Sequence, residues 1–576
     1  MTLIGWTQIV IFLAVLTALT PVVGGYMARV YTGRPVALST PLEPIERLLY
    51  RTMRVAPDRE QDWKAYARSV LLFSLASWLA LYAILRTQGA HPFNPQGFAS
   101  GPWTLSFNTA SSFVSNTSWQ FYAGETTLSY FSQMAGITVA SFTSMAVGMA
   151  VAVAFIRGLA RRESSELGNF WVDLTRSLLY VIVPLSILGG LFLVSQGALQ
   201  NLSRYLTAGG LTHVSQTIAM GPVGSQEAIK LLSGDGGGFF NTNSAHPFEN
   251  PTGLTNFVEA LLMPLIPAAL TYTFGRMVGN RRQGWALYSA MLVLFVVGVG
   301  IIYAAESHAT PAMHAAGLHG ANMQDKEQRF GTAGSALFVA TGTASGDGAV
   351  DSGLEAFTGI ASAVAMSNIM TGEVIFGGPG SGLFGMLLLV VLGVFLAGLM
   401  VGRTPEYLGK KLAMREVKLA ALGTLFVPIL VLVMTAIANA TAAGRQSLST
   451  RGPQGFSESL YAYLSQANNN GSAFAGYAGF IQPAAGNVGS HGIAFADIAG
   501  GLVMTFGRFV PILAVLSLAG ALAKRRVTPA GLGTLRTDTP TFVIFVIGFV
   551  IIFALLNFLA ALCLGPLDQS LTQHLY

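Results

Sequence analysis

"SGDGGGFFNTNSAHPFENP", Ser233 to Pro251, puts four glycines, an aspartate and several amides between long apolar runs. Polar backbone is costly inside a membrane, because no water is present there to satisfy its hydrogen-bonding groups. It is tolerated at membrane depth only where it lines a water-filled or protein-walled cavity. If the chain is a membrane protein, this stretch therefore predicts such a cavity.

The composition is that of a membrane protein. Of the 576 residues, 52% are hydrophobic and only 10% are charged, and the mean hydropathy is +0.56. Soluble domains carry about 25% charged residues. Most apolar runs match the roughly 20 residues that a helix needs to cross a bilayer. The runs are 6–28, 65–86, 129–156, 177–198, 255–276, 285–305, an interrupted one at 354–402, 419–440, 496–522 and 541–564. We predict an all-α polytopic protein with ten transmembrane helices.

The placement of basic residues predicts the orientation. Most of the 32 lysines and arginines lie in five alternate connecting segments. These segments are 29–68, 157–176, 276–282, 403–418 and 524–536. The positive-inside rule makes them cytoplasmic, which places both termini outside. Basic residues so distributed give an orientation signal, and no nucleic-acid partner is expected.

The outside loops form a fourfold repeat. They read "SFNTASSFVSNTSWQFY", "GSQEAIKLLSGDGGGFF", "GSALFVATGTASGDGAV" and "SESLYAYLSQANNNGSAF". Thr117, Asp235, Asp347 and Asn470 take equivalent positions, at intervals of about 110 to 125 residues. We predict four helix–pore loop–helix units between two added helices. The segments are 1–63 (first helix and cytoplasmic loop), 64–175, 176–283, 284–418 (with a broken second helix), 419–536, and 537–576 (last helix).

We predict that each loop forms one wall of a cation filter. The eight to ten residues before each polar turn are too short to span, and suggest a re-entrant half-helix capped by Ser or Thr. Its C-terminal end directs partial negative charge at the turn. Four turns around one axis would offer backbone oxygens to a cation, as selectivity filters do. A single such loop would more often be a solvated turn, but four in register favour a filter.

Four ionisable residues leave alternatives open. Asp235 and Asp347 either add charge to the filter or form Asx-turns that face water. Glu373 lies in "TGEVIFGGPGSG", which interrupts the run 354–402 either as an intramembrane gate or as a cytoplasmic hairpin. Arg508 either pairs with Glu373, forms an electrostatic barrier below the filter, or snorkels to an interface.

Machinery for ATP hydrolysis is not evident in the sequence. No phosphate-binding loop motif occurs, and no cytoplasmic segment has the length of a nucleotide-binding domain. If ATP drives this protein, another chain binds it.

Several long motifs resemble one family. "SNTSWQ", "GGGFFNTNSAHPFENPT", "GEVIFGGPGSG", "GRTPEYLGKK" and "NNNGSAFAG" resemble the potassium-binding subunits of Kdp-type potassium-transporting ATPases, over nearly the whole chain. The resemblance implies potassium as the bound ion and ATP only through a partner. It implies three partners in the lipid-embedded complex, namely a P-type ATPase catalytic subunit, a small single-span subunit and a peripheral chaperone-like subunit. It also implies the inner membrane of a bacterium.

The resemblance also implies roles for individual residues. The filter would comprise Asn116, Thr117, Ser118, Trp119, Gly234, Asp235, Gly236, Gly237, Gly346, Asp347, Gly348, Ala349, Asn470, Gly471, Ser472 and Ala473. Gln120 and Asn243 would support it, Gly372, Glu373, Gly377, Gly378 and Gly380 would belong to a loop that blocks leakage, and Arg403 would face the ATPase subunit. The family usually has Asn at Asp235 and an uncharged residue at Asp347, so this chain adds two carboxylates.

Two other functions are compatible with parts of this pattern. A stand-alone uptake channel subunit of the Trk/Ktr/HKT kind shares the four-unit plan and would carry potassium or sodium without an ATPase. A scaffold that only anchors an ATPase would have no need for four glycine-rich turns at equivalent positions.

Overall fold

The computed structural model describes residues 1–210, 215–317, 319–402, 404–479, 491–529 and 535–572. Within these ranges ten helices are long and apolar enough to cross a membrane. In chain order, the first to tenth spans are Leu3–Tyr31, Trp63–Arg86, Ser132–Ala160, Phe170–Ser195, Gly253–Met277, Arg281–Glu306, Ser381–Val401, Met414–Ala440, Phe495–Ala523 and Pro540–Leu564. Each overlaps one of the apolar runs, so the prediction of ten membrane-crossing helices is confirmed.

Two spans contain wider turns. The third opens with the π-helical segment Ser132–Thr138, and the fourth contains Ser177–Ile182 between its two α-helical parts. Pro184 lies two residues after the end of the second of these segments. Proline cannot donate a hydrogen bond to the preceding turn, and a π-helical turn is a common place for such an irregularity.

Four shorter helices begin at the end opposite the basic segments, which we call the outer side, and end inside the molecule. These pore helices are Trp103–Val114, Val223–Ser233, Gly331–Ala344 and Gly452–Asn468. They have 12, 11, 14 and 17 residues, so the predicted length of eight to ten was too short. The predicted Ser or Thr caps were also wrong. The N-cap residues are Pro102, Pro222, Phe330 and Arg451, none with a side-chain capping bond.

Burial follows the fourfold repeat. The spans that come after the four pore loops, namely the third, fifth, seventh and ninth, are 83%, 83%, 56% and 61% buried over their most apolar windows. The spans before the loops are less buried, at 28%, 44%, 50% and 28%, and the two added spans are at 28% and 22%. The second helix of each unit therefore faces the centre, and the first faces lipid.

The seventh crossing is interrupted, as the sequence predicts. The short helix Gly359–Met370 ends before the seventh span begins at Ser381. The intervening residues, 371–380, form an irregular segment that we call the break loop. Most of its residues are buried, so it is not a solvent-exposed cytoplasmic hairpin.

The five basic segments meet at one end of the molecule. Arg161 pairs with Glu60 at 2.6 Å, and Arg525 pairs with Glu416 at 2.9 Å. The short strands Gln61–Asp62 and Glu166–Gly168 join two of the segments, and Lys410 donates to the carbonyl of Leu522 at 2.8 Å. Arg276 and Arg29 line one small cavity, which adds the remaining segment, so charges from all five segments lie in one polar layer.

The remaining elements are small. An amphipathic helix, Ser39–Thr52, lies in the first basic segment. The hairpin Leu206–Gly209 with Ser215–Ile218 lies on the outer side, and Glu406–Tyr407 pairs with Lys410–Lys411. Short helical segments occur at Gln88–Ala90, Gly124–Thr127, Asn243–Ala245, Pro311–Ala315, Leu354–Ala356, Ala442–Arg445 and Pro566–Thr572. The sequence reasoning anticipated none of these elements.

Candidate functional site: a ring of four loops

The four loops after the pore helices share one backbone conformation. The first residue of each turn has a positive φ angle, at Asn116 (64°), Gly234 (70°), Gly346 (67°) and Asn469 (67°). Two residues later φ is positive again in three of the loops, at Ser118, Gly348 and Gly471. These positions bracket Thr117, Asp235, Asp347 and Asn470, so the backbone repeats in the same register as the sequence.

The loops touch in a closed sequence, which we call the filter ring. A methyl group on Gly236 would lie 2.7 Å from the carbonyl carbon of Gly348, and one on Gly348 would lie 2.6 Å from the nitrogen of Ser472. A methyl group on Gly237 would meet the Ser118 carbonyl, and one on Gly471 would meet the Thr117 carbonyl. The first loop therefore abuts the second, the second the third, the third the fourth, and the fourth the first.

Asparagine amides tie the loops to their neighbours. Asn116 donates to the carbonyls of Ser233 and Gly234, both at 2.9 Å. Asn469 donates to the hydroxyl of Thr117 at 2.9 Å, and Asn470 donates to the carbonyl of Gly342 at 3.0 Å. Each pore helix ends just before its loop, so the negative ends of four helix dipoles converge on the ring.

Asp235 is buried, and its carboxylate is fully engaged. Its two oxygens accept hydrogen bonds from Ser118 at 2.6 Å and from Ser233 at 2.8 Å. The side chain therefore braces the second loop against the first. The side chain lies at the ring, where a negative charge would favour cations over anions.

Asp347 takes an Asx-type conformation without facing water. One carboxylate oxygen accepts from the backbone nitrogen of Ala349 at 3.1 Å. The other has no hydrogen-bond partner among the described residues, and the side chain is fully buried. The turn geometry agrees with one of the alternatives weighed from the sequence, but the burial does not.

The residues flanking the ring hold the loops from outside. Gln120 exchanges two hydrogen bonds with the backbone of Gly238, at 3.0 and 3.1 Å. Asn243 donates to the carbonyl of Gly236. Trp119 is 2% exposed and packs edge-on against Phe121. Within the described residues the Trp119 indole nitrogen has no partner.

A polar cavity lies on the outer side of the ring. It has a volume of about 560 Å³ and is lined by residues of all four loops. Ser118, Gly237, Gly348 and Ser472 are among these residues. We call it the vestibule, because it gives water access to the ring from the end opposite the basic segments.

Groups on the outer loops near the vestibule have altered acidity. His246 stacks on Phe240 with ring centroids 3.6 Å apart, and burial lowers its pKa to about 4. Burial raises the pKa of Asp351 to about 7, despite a hydrogen bond from Ser352 at 3.0 Å. The histidine is thus neutral near pH 7, and the aspartate titrates there.

The break loop lies directly beneath the second and third filter loops. A methyl group on Gly234 would lie 2.9 Å from Pro379, and one on Gly346 would meet Glu373. Gly377 and Gly380 are packed against backbone carbonyls, of Glu373 and Gly148 respectively. The loop therefore closes the space below the ring with backbone.

Arg508 lies beside this loop and does not snorkel. It is 5% exposed, and one guanidinium nitrogen donates to the carbonyl of Ser144 at 3.4 Å. Among the described residues no carboxylate lies within ion-pair distance of it, so the direct pair with Glu373 is not formed. A cavity of about 80 Å³, the lower cavity, is lined by Glu373, Asn469 and Arg508. Arg403 lies outside the described residues.

Sequence reasoning missed the charged group behind the second loop. The buried group consists of Lys230, Glu227 and Glu249. In the same pore helix, the hydroxyl of Ser233 donates to the carboxylate of Asp235. The signal was present in "QEAIK", which places a glutamate and a lysine three residues apart in an otherwise apolar pore helix. Ionisable residues at membrane depth are functional candidates by default.

Ten spans, with four re-entrant helices whose loops close one ring, define a pore-loop membrane protein of the four-unit class. The chain superposes on the potassium transporter TrkH from Vibrio parahaemolyticus with a TM-score of 0.50 and 15% identity, over 89% of this chain and 97% of that one. This similarity shows the fold.

The family is shown by sequence. The family model for KdpA, the potassium-transporting ATPase A subunit, matches residues 10–571, and the chain belongs to this family. It is 50% identical over 574 residues to the potassium-transporting ATPase potassium-binding subunit of Granulibacter bethesdensis, covering 99% of both chains. It is 51% identical over 569 residues to the subunit of the same name from Methylorubrum extorquens, covering 99% of this chain and 98% of that one.

Proposed function

We propose that this chain is the potassium-binding and translocating subunit of an ATP-driven, high-affinity potassium uptake complex. The observation that carries the proposal is the filter ring, in which four glycine-rich backbones meet beneath a water-accessible vestibule. Backbone oxygens arranged in this way can replace the hydration shell of a potassium ion. The names of the relatives, which are potassium-binding subunits, support the same ion.

The binding site in this proposal is the backbone of the four loops. Glycine is needed at Gly236, Gly348 and Gly471 because a side chain would displace the neighbouring loop. Asp235 acts through its field, since both of its oxygens are hydrogen-bonded to serine hydroxyls. Asp347 has one oxygen bound to the backbone nitrogen of Ala349, and its other oxygen is left to act on the ion. Gln120 and Asn243 keep the ring in shape.

The path below the ring is proposed to turn sideways. The break loop blocks direct passage toward the cytoplasm, and the buried cation Arg508 opposes the entry of a second cation. The lower cavity, which begins beside Asn469, is then the start of the route to the ATPase subunit. The break loop is in this sense the gate that the sequence predicts.

The complex supplies the energy. We propose that a P-type ATPase catalytic subunit binds and hydrolyses ATP, with a small single-span subunit and a peripheral chaperone-like subunit beside it. The basic layer, including the segment with Arg403, is proposed to face the cytoplasm and the catalytic subunit. Both termini are then extracytoplasmic, in the inner membrane of a bacterium.

One experiment tests the proposal directly. The complex that co-purifies with this chain is assayed for ATP hydrolysis as potassium is raised from near zero, with sodium as the control. Hydrolysis that rises with potassium and not with sodium is expected. Activity that is indifferent to potassium, or the absence of any ATPase from the purified complex, would contradict it.

A stand-alone uptake channel is the second candidate, and the likeness in fold to TrkH is the observation in its favour. It would carry ions in liposomes without ATP or any partner. Ion flux into liposomes that contain this chain alone therefore separates the two functions.

A further inference from the structure

Lys230 places a positive charge behind the second filter loop. It lies in the pore helix Val223–Ser233 and is 1% exposed. Its ammonium lies 2.8 Å from the Glu227 carboxylate and 3.3 Å from that of Glu249. Burying three charged groups carries a large desolvation cost, which close pairing only partly offsets. Because of this cost, we expect the cluster beside the filter ring to have a function that an apolar residue could not supply.

The third partner of the ammonium is the amide of Asn243. Lys230 donates to Oδ1 of Asn243 at 2.7 Å, and the backbone nitrogen of Ser244 donates to the same oxygen at 2.9 Å. The other end of the amide, Nδ2, donates to the carbonyl of Gly236 in the filter ring. A continuous chain of hydrogen bonds therefore runs from the lysine to a filter carbonyl.

The ammonium determines which end of the amide faces the ring. An amide has one acceptor end and one donor end, and these can exchange by rotation of the side chain. An ammonium group can only donate hydrogen bonds. It therefore favours the amide oxygen as its neighbour, because the oxygen is an acceptor, and excludes the NH₂ group, which is a donor. With Lys230 in place, Asn243 must present its donor to Gly236. Without the lysine, the orientation depends on weaker donors to the same oxygen, namely the backbone nitrogens of Ser244 and Val350 and the Ser244 hydroxyl.

We propose that Lys230 is a positioning residue for the filter. Its ammonium holds the Asn243 amide in one orientation, and the amide holds the peptide plane of Gly236. The orientation of that plane determines how tightly the second loop binds the ion and how well it distinguishes ions of different size. The inference rests on the proposed function of the ring as a potassium filter. It adds a specificity-determining residue that does not itself touch the ion.

The glutamates give the lysine its own fixed position. Glu227 accepts from the hydroxyl of Ser244 at 2.7 Å, and Glu249 accepts from the backbone nitrogen of Phe240 at 2.9 Å. Glu227 thus ties the pore helix to the segment that follows the filter loop, and Glu249, which lies in that segment, reaches the pore helix through Lys230. The two glutamates hold the ammonium from two sides, so the distance from the ammonium to Asn243 stays constant when the loop moves.

The test is Lys230→Met in the intact complex, measured by ATP hydrolysis against potassium and against rubidium. Methionine fills similar space without the charge. We expect the half-saturating potassium concentration to rise about tenfold, the preference for potassium over rubidium to narrow, and the maximal rate to stay within about twofold. A purely structural lesion would lower the maximal rate without changing the ion preference.

The chain offers a matched control. Lys326 is also a buried lysine, 8% exposed, and pairs with Glu306 at 2.9 Å. Its further contacts are the carbonyl of Gln324 at 3.3 Å and the ring of Phe357, and none of these is a filter residue. Lys326 also lines the vestibule, so Lys326→Met removes a comparable positive charge near the ring without touching the filter loops. It should leave the preference for potassium over rubidium unchanged.

A second variant keeps the proposal testable if Lys230→Met fails to assemble. Asn243→Leu removes the amide and leaves the lysine with its glutamates, and the same two shifts are expected. Unchanged affinity and preference in the assembled variants would overturn the proposal, as would an equal change of ion preference in Lys326→Met. A wild-type complex without potassium-dependent hydrolysis would instead contradict the proposed function.

Discussion

The side-chain amide of Asn116 in the first filter loop donates to the backbone carbonyl of Gly234 in the second, at 2.9 Å. The same amide also reaches the carbonyl of Ser233, at 2.9 Å. A single side chain thus fixes two carbonyl groups of a neighbouring loop. The ring depends on such bonds, because its loops contribute little apolar surface of their own.

Asn116→Ala should therefore weaken potassium binding. The substitution leaves two buried carbonyls without their donor, at a cost of about 1–3 kcal/mol each to the folded ring. We expect about 1.4 kcal/mol of this cost to appear in potassium binding, which is a loss of roughly tenfold in affinity. The half-saturating potassium concentration for ATP hydrolysis measures this. Asn557→Ala is the control, because Asn557 bonds only the carbonyl of Phe553 in its own outer helix, and it should have no effect.

Gly348→Ala should abolish potassium-dependent hydrolysis. The added methyl group would lie within 2.6 Å of the fourth loop, and φ at this position is 76°, which disfavours any side chain. Gly548→Ala, in the tenth span, meets nothing within 4 Å and should retain full activity. Full activity in both variants would exclude close approach of the loops as a requirement.

Asp235→Asn and Asp347→Asn should each raise the half-saturating potassium concentration. Both changes remove a negative charge at the ring, and Asp235→Asn also removes one acceptor from the pair of serine hydroxyls. Asp58→Asn, in a basic segment far from the ring, is the neutral comparison. An unchanged half-saturation constant in both ring variants would rule out a filter role for the two charges.

Arg508→Met should increase passive leakage. The variant removes a buried positive charge beside the break loop, and with it the barrier to a second cation. Rubidium flux into liposomes without ATP is the measurement, and a rise of about tenfold or more is expected. Arg445→Met serves as the control, because Arg445 also binds backbone carbonyls, those of Asn439 and Ala440, but on the outer surface. Equal flux in the two variants would remove Arg508 from the barrier.

Asp351 should make stability fall as pH rises. Its pKa in the folded protein, about 7, lies above its ordinary value of 3.8, so the folded state binds the proton more tightly than the unfolded state. The associated stabilisation is fully present below about pH 4 and is lost as pH rises through 7. Asp351→Asn should therefore melt at a higher temperature than wild type at pH 8, with a smaller difference at pH 5. A difference that is independent of pH would contradict this assignment.

The ten spans could be predicted because the length of an apolar run itself shows whether a helix can cross the membrane. The basic segments predict an orientation for a similar reason, since that signal also lies in composition. The interruption around Gly377 and Pro379 was also predictable, because no single crossing accommodates so many residues.

The pore-helix lengths could not be predicted in the same way. The helix Gly452–Asn468 has Pro453 in its first turn, a helix-start signal that the sequence reasoning did not use. The directions of the side chains at the ring could not be predicted from the sequence either. Asp235 turns toward Ser118, which is 117 residues away in sequence, so its partner follows only from the fold. The role of Lys230 depends on the same long-range assembly.

The filter ring comes from one polypeptide, and its walls differ. The second loop lacks the second positive-φ residue that the other three have, and it is the loop with the lysine cluster behind it. In a pore made of identical subunits, every substitution is repeated on all four sides. Here a single codon changes one side only. In the proposed filter, affinity and selectivity can therefore be adjusted in small steps over evolutionary time, one wall at a time, while the other three walls stay unchanged.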